Sequence, residues 1–354
     1  MEHPPAIELL SVSREYAATK AVDGVSFAVF PGEFVALVGP SGSGKTTTLM
    51  LVAGFETPSS GEVRINGTSV THVPPHLRNI GVVFQSYALF PHLTVAQNIA
   101  FPLRVRRVQR REVERRVAVA LNLVRLPEVG HRYPSQLSGG QQQRIAVARA
   151  LVFGPSVLLM DEPLGALDRS LREEMQYELK SLQQELQVTV LYVTHDQGEA
   201  MAMADRIGVM KDGRLLQLDD PRSLYHAPDD RFVASFVGEC NFIRGSARSH
   251  GIDVAGRTLP KQVGQPTGDV ELAIRPQAIR LKALSSEGIA GLDELPAVVS
   301  NTTFLGALVR VHLVLDDGQS VIAVLDAGDP ATSLLNLGDR VSFGWIEAIV
   351  YPAP

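Results

Sequence analysis

Residues 39–47 read GPSGSGKTT, and further along the chain residues 137–144 read LSGGQQQR. Each is a glycine-rich entry to a helical pattern, where exposed backbone N–H groups and the helix dipole favour an anion. Only the first carries a lysine. Gly39-Pro40-Ser41-Gly42-Ser43-Gly44-Lys45-Thr46 fits G-x-x-x-x-G-K-[ST], follows the strand-like FVALV and precedes the helical TTTLMLVAG, which is the context of a nucleoside-triphosphate loop. In such a loop the glycines let N–H groups curl around the β-phosphate and Lys45 reaches the β- and γ-phosphates. Thr46 can ligate Mg²⁺, and Thr47 continues the first helical turn. Alone, this motif specifies a nucleoside triphosphate and no particular reaction.

A second stretch narrows the chemistry. VLLMDEP places Asp161 at the exit of a wholly apolar run, Val157 to Met160. A carboxylate there is costly unless it serves a cation or a hydrogen-bond network. Asp161 is the natural partner of Mg²⁺, and Glu162 beside it is placed to polarise an attacking water as general base. An isolated Asp-Glu pair at a strand end would more often cap a helix or face solvent. The phosphate loop in the same chain favours the catalytic reading.

These motifs need a scaffold, and two compositional breaks describe one. From Ile7 to Val237, short β-branched runs (FVALVG, NIGVVF, VLLMDEP, TVLYVTHD) alternate with longer helical patterns, the signature of an α/β fold with buried parallel strands. After Gly238 the helical pattern stops. Val309, Val311, Leu313 and Leu315 alternate into an Asp317-Gly318 turn, as in an all-β, barrel-like module. The expected division is residues 1–237 and 238–354, with a helical subdomain over about 88–155.

Composition limits the function further. The 354 residues are 45% hydrophobic and carry a net charge of −5, so no overall basic field drives nucleic-acid binding. Oligonucleotide-binding barrels resemble the tail, but residues 241–354 hold 9 Lys+Arg against 12 Asp+Glu, which disfavours a nucleic-acid groove. With one cysteine, Cys240, the chain forms no internal disulfide, and this thiol reads as inert. MEHPPAIELL lacks the basic start and apolar run of a signal peptide, and no stretch has the length and apolarity of a membrane span. LRVRRVQRREVERR, residues 103–116, sets seven arginines against Glu112 and Glu114. It reads first as a solvated helix face and second as a contact for anionic lipid headgroups.

Together the phosphate loop, LSGGQ at 137–141, VLLMDEP at 157–163, ALD at 166–168 and TH at 194–195 resemble the ATP-binding subunit of an ABC transporter. The tail resembles the regulatory TOBE barrel, OB-like in form, appended to ATPases of the maltose, polyamine, ferric-iron and sulfate importers. The resemblance thus covers essentially the whole chain, and LSGGQ is its most specific element.

The resemblance implies an ATP- and Mg²⁺-dependent ATPase that dimerises head to tail, the LSGGQ of one copy lying on the γ-phosphate bound by the other. Ser138, Gly139, Gly140 and Gln141 then offer N–H donors and a hydroxyl at a helix start without a fixed cation that would attract anions to the open subunit. Tyr16 is expected to stack on adenine, Gln85 to contact Mg²⁺ or the attacking water, Asp168 to communicate across the dimer and His195 to contact the γ-phosphate. Catalysis falls to Glu162, His195 and Gln85, and metal binding to Thr46, Gln85 and Asp161. Read without the family, Tyr16 is equally a packed tyrosine, Gln85 a strand-end polar group and His195 a structural histidine.

Membrane permease subunits and, indirectly, a solute-binding protein are the implied partners, with the chain peripheral on the cytoplasmic face of the inner membrane. Tyr87–Pro91 (YALFP) reads as the docking surface. Departures from the family pattern are Gly165 and Gly198, which stand where serine and glutamate are common, and Gln277, which stands where glutamate is usual. A soluble ABC ATPase acting on DNA or ribosomes is disfavoured because the chain has neither a long coiled-coil insertion nor a second cassette. A purely regulatory nucleotide sensor conflicts with Glu162 and His195. Among solutes, polyamines come first, with ferric iron, sulfate and sugars as alternatives.

Overall fold

The computed structural model describes residues 4–17, 19–165, 167–260, 266–283, 294–329, 332 and 335–353. Ala166, within the ALD stretch, lies outside them. The chain divides into two compact units, residues 1–224 and 225–354.

In the first unit the strands are β1 (Ile7–Tyr16), β2 (Thr19–Val29), β3 (Phe34–Val38), β4 (Ser60–Ile65), β5 (Thr68–Ser69), β6 (Ile80–Val83), β7 (Val157–Asp161), β8 (Thr189–Val193), β9 (Arg206–Lys211) and β10 (Arg214–Asp219). Among the described residues, β10-β9-β3-β8-β7-β6 form a six-stranded sheet whose members are parallel except for the edge strand β10. The strands β3, β7 and β8 are buried along their whole length, which explains their uninterrupted apolar runs.

A second sheet, β2-β1-β4-β5, is antiparallel, where the sequence pattern predicts parallel strands. For β1 and β2 the reason is local. Tyr16 and Thr19 face each other across the end of the β1–β2 hairpin, and so short a link cannot make the crossover that parallel pairing requires. Ile7, Leu9 and Val63 of this sheet share one apolar core with Val35, Leu37, Val157 and Val193 of the other.

The helices are α1 (Lys45–Ala53), α2 (Val95–Val105), α3 (Arg110–Leu123), α4 (Gly139–Leu151), α5 (Arg169–Leu186) and α6 (Gln197–Met203). A separate apolar cluster joins α2, α3 and α4 through Ile99, Leu103, Val113, Val117, Leu121, Ile145 and Ala148. Full burial of such side chains contributes about 1.5–3 kcal/mol each. On α3 the residues Val113, Val117, Ala120 and Leu121 face inward at helical spacing, so the arginines face out. Arg110 pairs with Glu114, and Arg115 and Arg116 both pair with Glu112, whose carboxyl they pull down to about 2. The arginine-dense stretch is therefore in large part a solvated, ion-paired helix face.

The helix α7 (Pro221–His226) spans the division between the units, and α8 (Arg231–Phe236) belongs to the second. The remaining strands are β11 (Asn241–Arg248), β12 (Gly251–Val254), β13 (Arg257–Leu259), β14 (Gly268–Ile274), β15 (Ile279–Ala283), β16 (Glu294–Phe304), β17 (Leu308–Leu315), β18 (Ser320–Asp326), β19 (Arg340–Trp345) and β20 (Ile349–Pro352). Two antiparallel sheets, β13-β12-β11-β14-β20 and β15-β19-β16-β17-β18, enclose a common core that includes Ile243, Leu272, Leu295, Leu313 and Phe343. Gln277, one of the departures from the family pattern, accepts a hydrogen bond from Tyr225 Oη at 3.3 Å.

Candidate nucleotide site

Five parallel strands end on one edge of the main sheet, and each contributes a segment there. The phosphate loop follows β3, Gln85 follows β6, Asp161 ends β7 with Glu162 next, His195 follows β8, and Asp212 and Gly213 follow β9. The carboxyl edge of such a sheet is where α/β folds place ligands.

Glycine is required in the phosphate loop for space as well as for conformation. A Cβ on Gly39 would strike the Met210 carbonyl oxygen, and one on Gly44, at φ 98°, would strike that of Ala21. Gly44 precedes α1 and gives it no side-chain cap, so the first-turn N–H groups face the loop without competition from a capping oxygen. Lys45 is buried, and its Nζ donates to the carbonyl oxygens of Gly39 and Pro40 at 2.8 and 2.9 Å. Burial lowers its pKa, and the nearby Glu162 and Asp161 partly oppose that shift.

Thr46 Oγ1 donates to Asp161 Oδ1 at 3.0 Å. Burial raises the Asp161 pKa, and the Thr46 hydrogen bond opposes the rise. Beside it, Glu162 has φ 43°, a left-handed conformation unusual for a side chain of this size, and its N–H donates to Val193 O at 2.9 Å. That backbone conformation sets its carboxylate between two loops. Gln85 Nε2 donates to Glu162 Oε2 at 3.1 Å, and His195 Nδ1 lies 3.2 Å from the same oxygen. The three residues expected to act in catalysis, far apart in sequence, thus meet, Gln85 and His195 converging on the Glu162 carboxylate.

Tyr16 sits at the end of β1, across the hairpin from Thr19 and close along β2 to Ala21, which touches the phosphate loop. The Arg14 guanidinium lies 4.5 Å from the centroid of its ring, and the residue as a whole is 42% exposed.

The LSGGQ stretch is a helix cap. Ser138 Oγ accepts from the Gln141 N–H at 3.3 Å while Gln141 Oε1 accepts from the Ser138 N–H at 3.1 Å, a reciprocal capping box at the start of α4. The S-x-x-Q spacing was the signal for it, and the functional reading of the motif overlooked it. Space is tight at both glycines, since a Cβ on Gly139 would press on the Leu167 side chain and one on Gly140 on that of Leu171. Asp168 caps α5 by accepting from Leu171 N–H at 3.0 Å, which lowers its pKa.

Several residues that sequence reasoning passed over hold this frame. Asn98, fully buried on α2, accepts from Phe90 N–H and donates to the carbonyls of Phe90, Leu93 and Thr94. Arg149 on α4 donates to the carbonyls of Ala88 and Tyr87 at 2.7 and 2.8 Å, and both of those residues have left-handed φ values of 48° and 60°. Tyr87 itself is buried, so of the YALFP segment it is unavailable as a docking group. Leu89 packs on the helical cluster, and Phe90 packs on Phe101. Arg149→Met should leave two inward carbonyls unpaired and lower stability by about 2–4 kcal/mol. The corresponding fall in the thermal midpoint is roughly 5–15 °C, measured by calorimetry. An unchanged midpoint would show that the turn holds itself.

No group of three or more His, Cys, Asp or Glu that could by itself hold a metal occurs among the described residues. The oxygens of Thr46, Asp161 and Gln85 nonetheless suit a hard cation such as Mg²⁺, which keeps several non-protein ligands.

Residues 22–165 match the ABC transporter family model, and residues 272–350 match the TOBE domain model. The chain is 45% identical to a spermidine/putrescine import ATP-binding protein of Pseudomonas aeruginosa, covering 97% of both chains. Proteins of the same name are 45% identical in Rubrobacter xylanophilus (97% of this chain, 92% of the relative) and 44% identical in Thermobifida fusca (99% and 94%). A solved dimeric bacterial ABC transporter cassette superposes with TM-score 0.55 at 36% identity, covering 60% of this chain and 98% of that one. A post-hydrolysis dimer bound to ADP and Pi gives 0.54 at 34%, with the same coverage. The chain belongs to the ABC transporter family, as an ATP-hydrolysing subunit with a C-terminal TOBE domain.

Proposed function

We propose that this subunit energises uptake of spermidine and putrescine through a separate membrane permease. The observation that carries the solute assignment is 42–45% identity, over 96–99% of this chain, to spermidine/putrescine import ATP-binding proteins. The subunit would act at the cytoplasmic face of the inner membrane as a peripheral partner, with a solute-binding protein delivering cargo from the other side. No helix among the described residues is long and apolar enough to cross a membrane.

The residues take the following parts. The loop Gly39–Thr47 wraps the phosphates, with Lys45 exchanging the carbonyls of Gly39 and Pro40 for phosphate oxygens. Tyr16 offers adenine the ring face that Arg14 leaves open. Thr46, Asp161 and Gln85 would hold Mg²⁺, which when bound neutralises charge on the transferred phosphoryl group. Glu162 takes the proton of the attacking water. Its two hydrogen-bond contacts described above fall on Oε2, so Oε1 is the oxygen for that proton. His195 and Gln85 steer the carboxylate.

A second copy completes the site, as the solved cassette dimers suggest for this arrangement. Ser138 suits such a role chemically. Its oxygen accepts from Gln141 N–H, yet its hydroxyl proton stays free to donate to a phosphate, alongside the N–H groups of Gly139 and Gly140.

The test is uptake of radiolabelled spermidine and putrescine in a strain deleted for this gene. Restoration by the wild-type chain and failure by Lys45→Ala are expected. Uptake of ferric iron, sulfate or a sugar that depends on the chain while polyamine uptake does not would reassign the solute and leave the ATPase reading standing.

A further inference from the structure

We propose that Arg172 and Glu199 are positioning residues of the hydrolytic site, joining the segment before Asp168 to the loop that carries His195. The inference rests on the reading of Glu162 and His195 given above. Glu199, on α6, is a carboxylate with 3% side-chain exposure, and burial of such a charge is costly unless it is paired and hydrogen-bonded. Its Oε2 accepts from Tyr192 Oη at 2.7 Å and from Thr194 Oγ1 at 2.8 Å. Thr194 Oγ1 in turn accepts from the Asp196 N–H at 3.0 Å. The two residues that flank His195 are therefore braced by one buried carboxylate, while the imidazole itself is exposed and rests on Glu162.

Arg172, on α5, reaches this brace from the other side. One guanidinium nitrogen donates to Leu167 O at 3.0 Å, another to Asp196 Oδ2 at 3.2 Å, and Nε lies 3.7 Å from Glu199 Oε1. That Nε is buried and makes no hydrogen bond in this state. A buried donor facing a buried carboxylate just beyond bonding distance is a contact that a small movement of either loop would complete. Leu167 sits against Gly139 at the start of α4, so the fork spans from the partner-facing glycines to the histidine.

The experiment uses the purified full-length chain and compares Glu199→Gln, Arg172→Met and the double variant. Both hydrogen bonds from Tyr192 and Thr194 fall on one Glu199 oxygen. A glutamine can keep them on its carbonyl and present only an amide to Arg172. Each single variant should lower kcat for MgATP by about 10–100-fold, the scale of a misplaced catalytic group, with the ATP Kd nearly unchanged, and Arg172→Met, which strips Leu167 O of a donor and the buried Glu199 of its cation, should also lower the thermal midpoint. The double variant should be no slower than the slower single, because both changes break the same link. Should Glu199→Gln not fold, Arg172→Met decides through the same split between kcat and Kd. Wild-type kcat in the variants, losses that multiply in the double, or a Kd that worsens in step with kcat would each overturn the proposal. A wild-type chain that binds ATP and does not hydrolyse it would instead defeat the underlying ATPase reading.

Discussion

Glu162→Gln is expected to slow ATP turnover by about two to four orders of magnitude, the usual contribution of a general base, while the ATP Kd stays within a few-fold of wild type. The substitution removes the basicity and keeps the shape. A glutamine carbonyl can still accept from Gln85 Nε2 and His195 where Glu162 Oε2 does now, so the three-way contact survives and only the proton acceptor is lost. The backbone is unaffected, because the φ of 43° and the hydrogen bond to Val193 O involve main-chain atoms. Single-turnover hydrolysis and equilibrium nucleotide binding separate the two effects. Near-normal turnover in a preparation free of wild-type enzyme would assign the base elsewhere.

The second large effect concerns the two glycine-rich helix entries. Lys45→Ala should cripple a subunit's own phosphate loop, and Ser138→Arg should both break the reciprocal cap with Gln141 and obstruct the face offered to a partner. Each homodimer then has two defective sites. In a mixed dimer both lesions fall on one composite site and the other is intact, so ATP occlusion should return to roughly half the wild-type amount per dimer if the sites act independently. Occlusion is read as ATP retained after rapid removal of free nucleotide, with both homodimers as controls. A loss of the cap costs about 1 kcal/mol in helix stability, so Ser138→Ala in the same assay separates uncapping from obstruction. Mixed dimers that retain no more ATP than the homodimers would mean that LSGGQ does not act in trans.

The parts of the site that could be read from sequence are those in which a residue and its local context suffice. The phosphate loop announces itself because strand, glycines, lysine and helix are contiguous. Asp161 stands out because a carboxylate ends an apolar strand. The hairpin from Val309 to Leu325 was legible for the same reason, its alternation meeting at Gly318 with φ 87°. What escaped was non-local. Arg149 and Arg172 look like ordinary charged helix residues until the fold carries them to carbonyls and a carboxylate up to 62 positions away, and Glu199 until it is buried opposite Arg172. The antiparallel pairing of β1 with β4 was equally hidden, since each strand alone has the β-branched character that a parallel sheet also selects.

The grip of Arg149 on Tyr87 and Ala88 makes α4 more than a support for its first turn. Ten residues separate Gly139 from Arg149, about 15 Å along a straight helix. At one end of that rod stand the N–H groups proposed above to meet a partner's nucleotide, and at the other a guanidinium grasps two backbone carbonyls of a turn wound the unfavourable way. Left-handed φ at such residues costs about 1–3 kcal/mol each, which the two hydrogen bonds from Arg149 help to offset. A displacement of α4 would therefore be felt at the turn through these two hydrogen bonds. One helix thus ties the LSGGQ cap to the segment that lies next to Gln85.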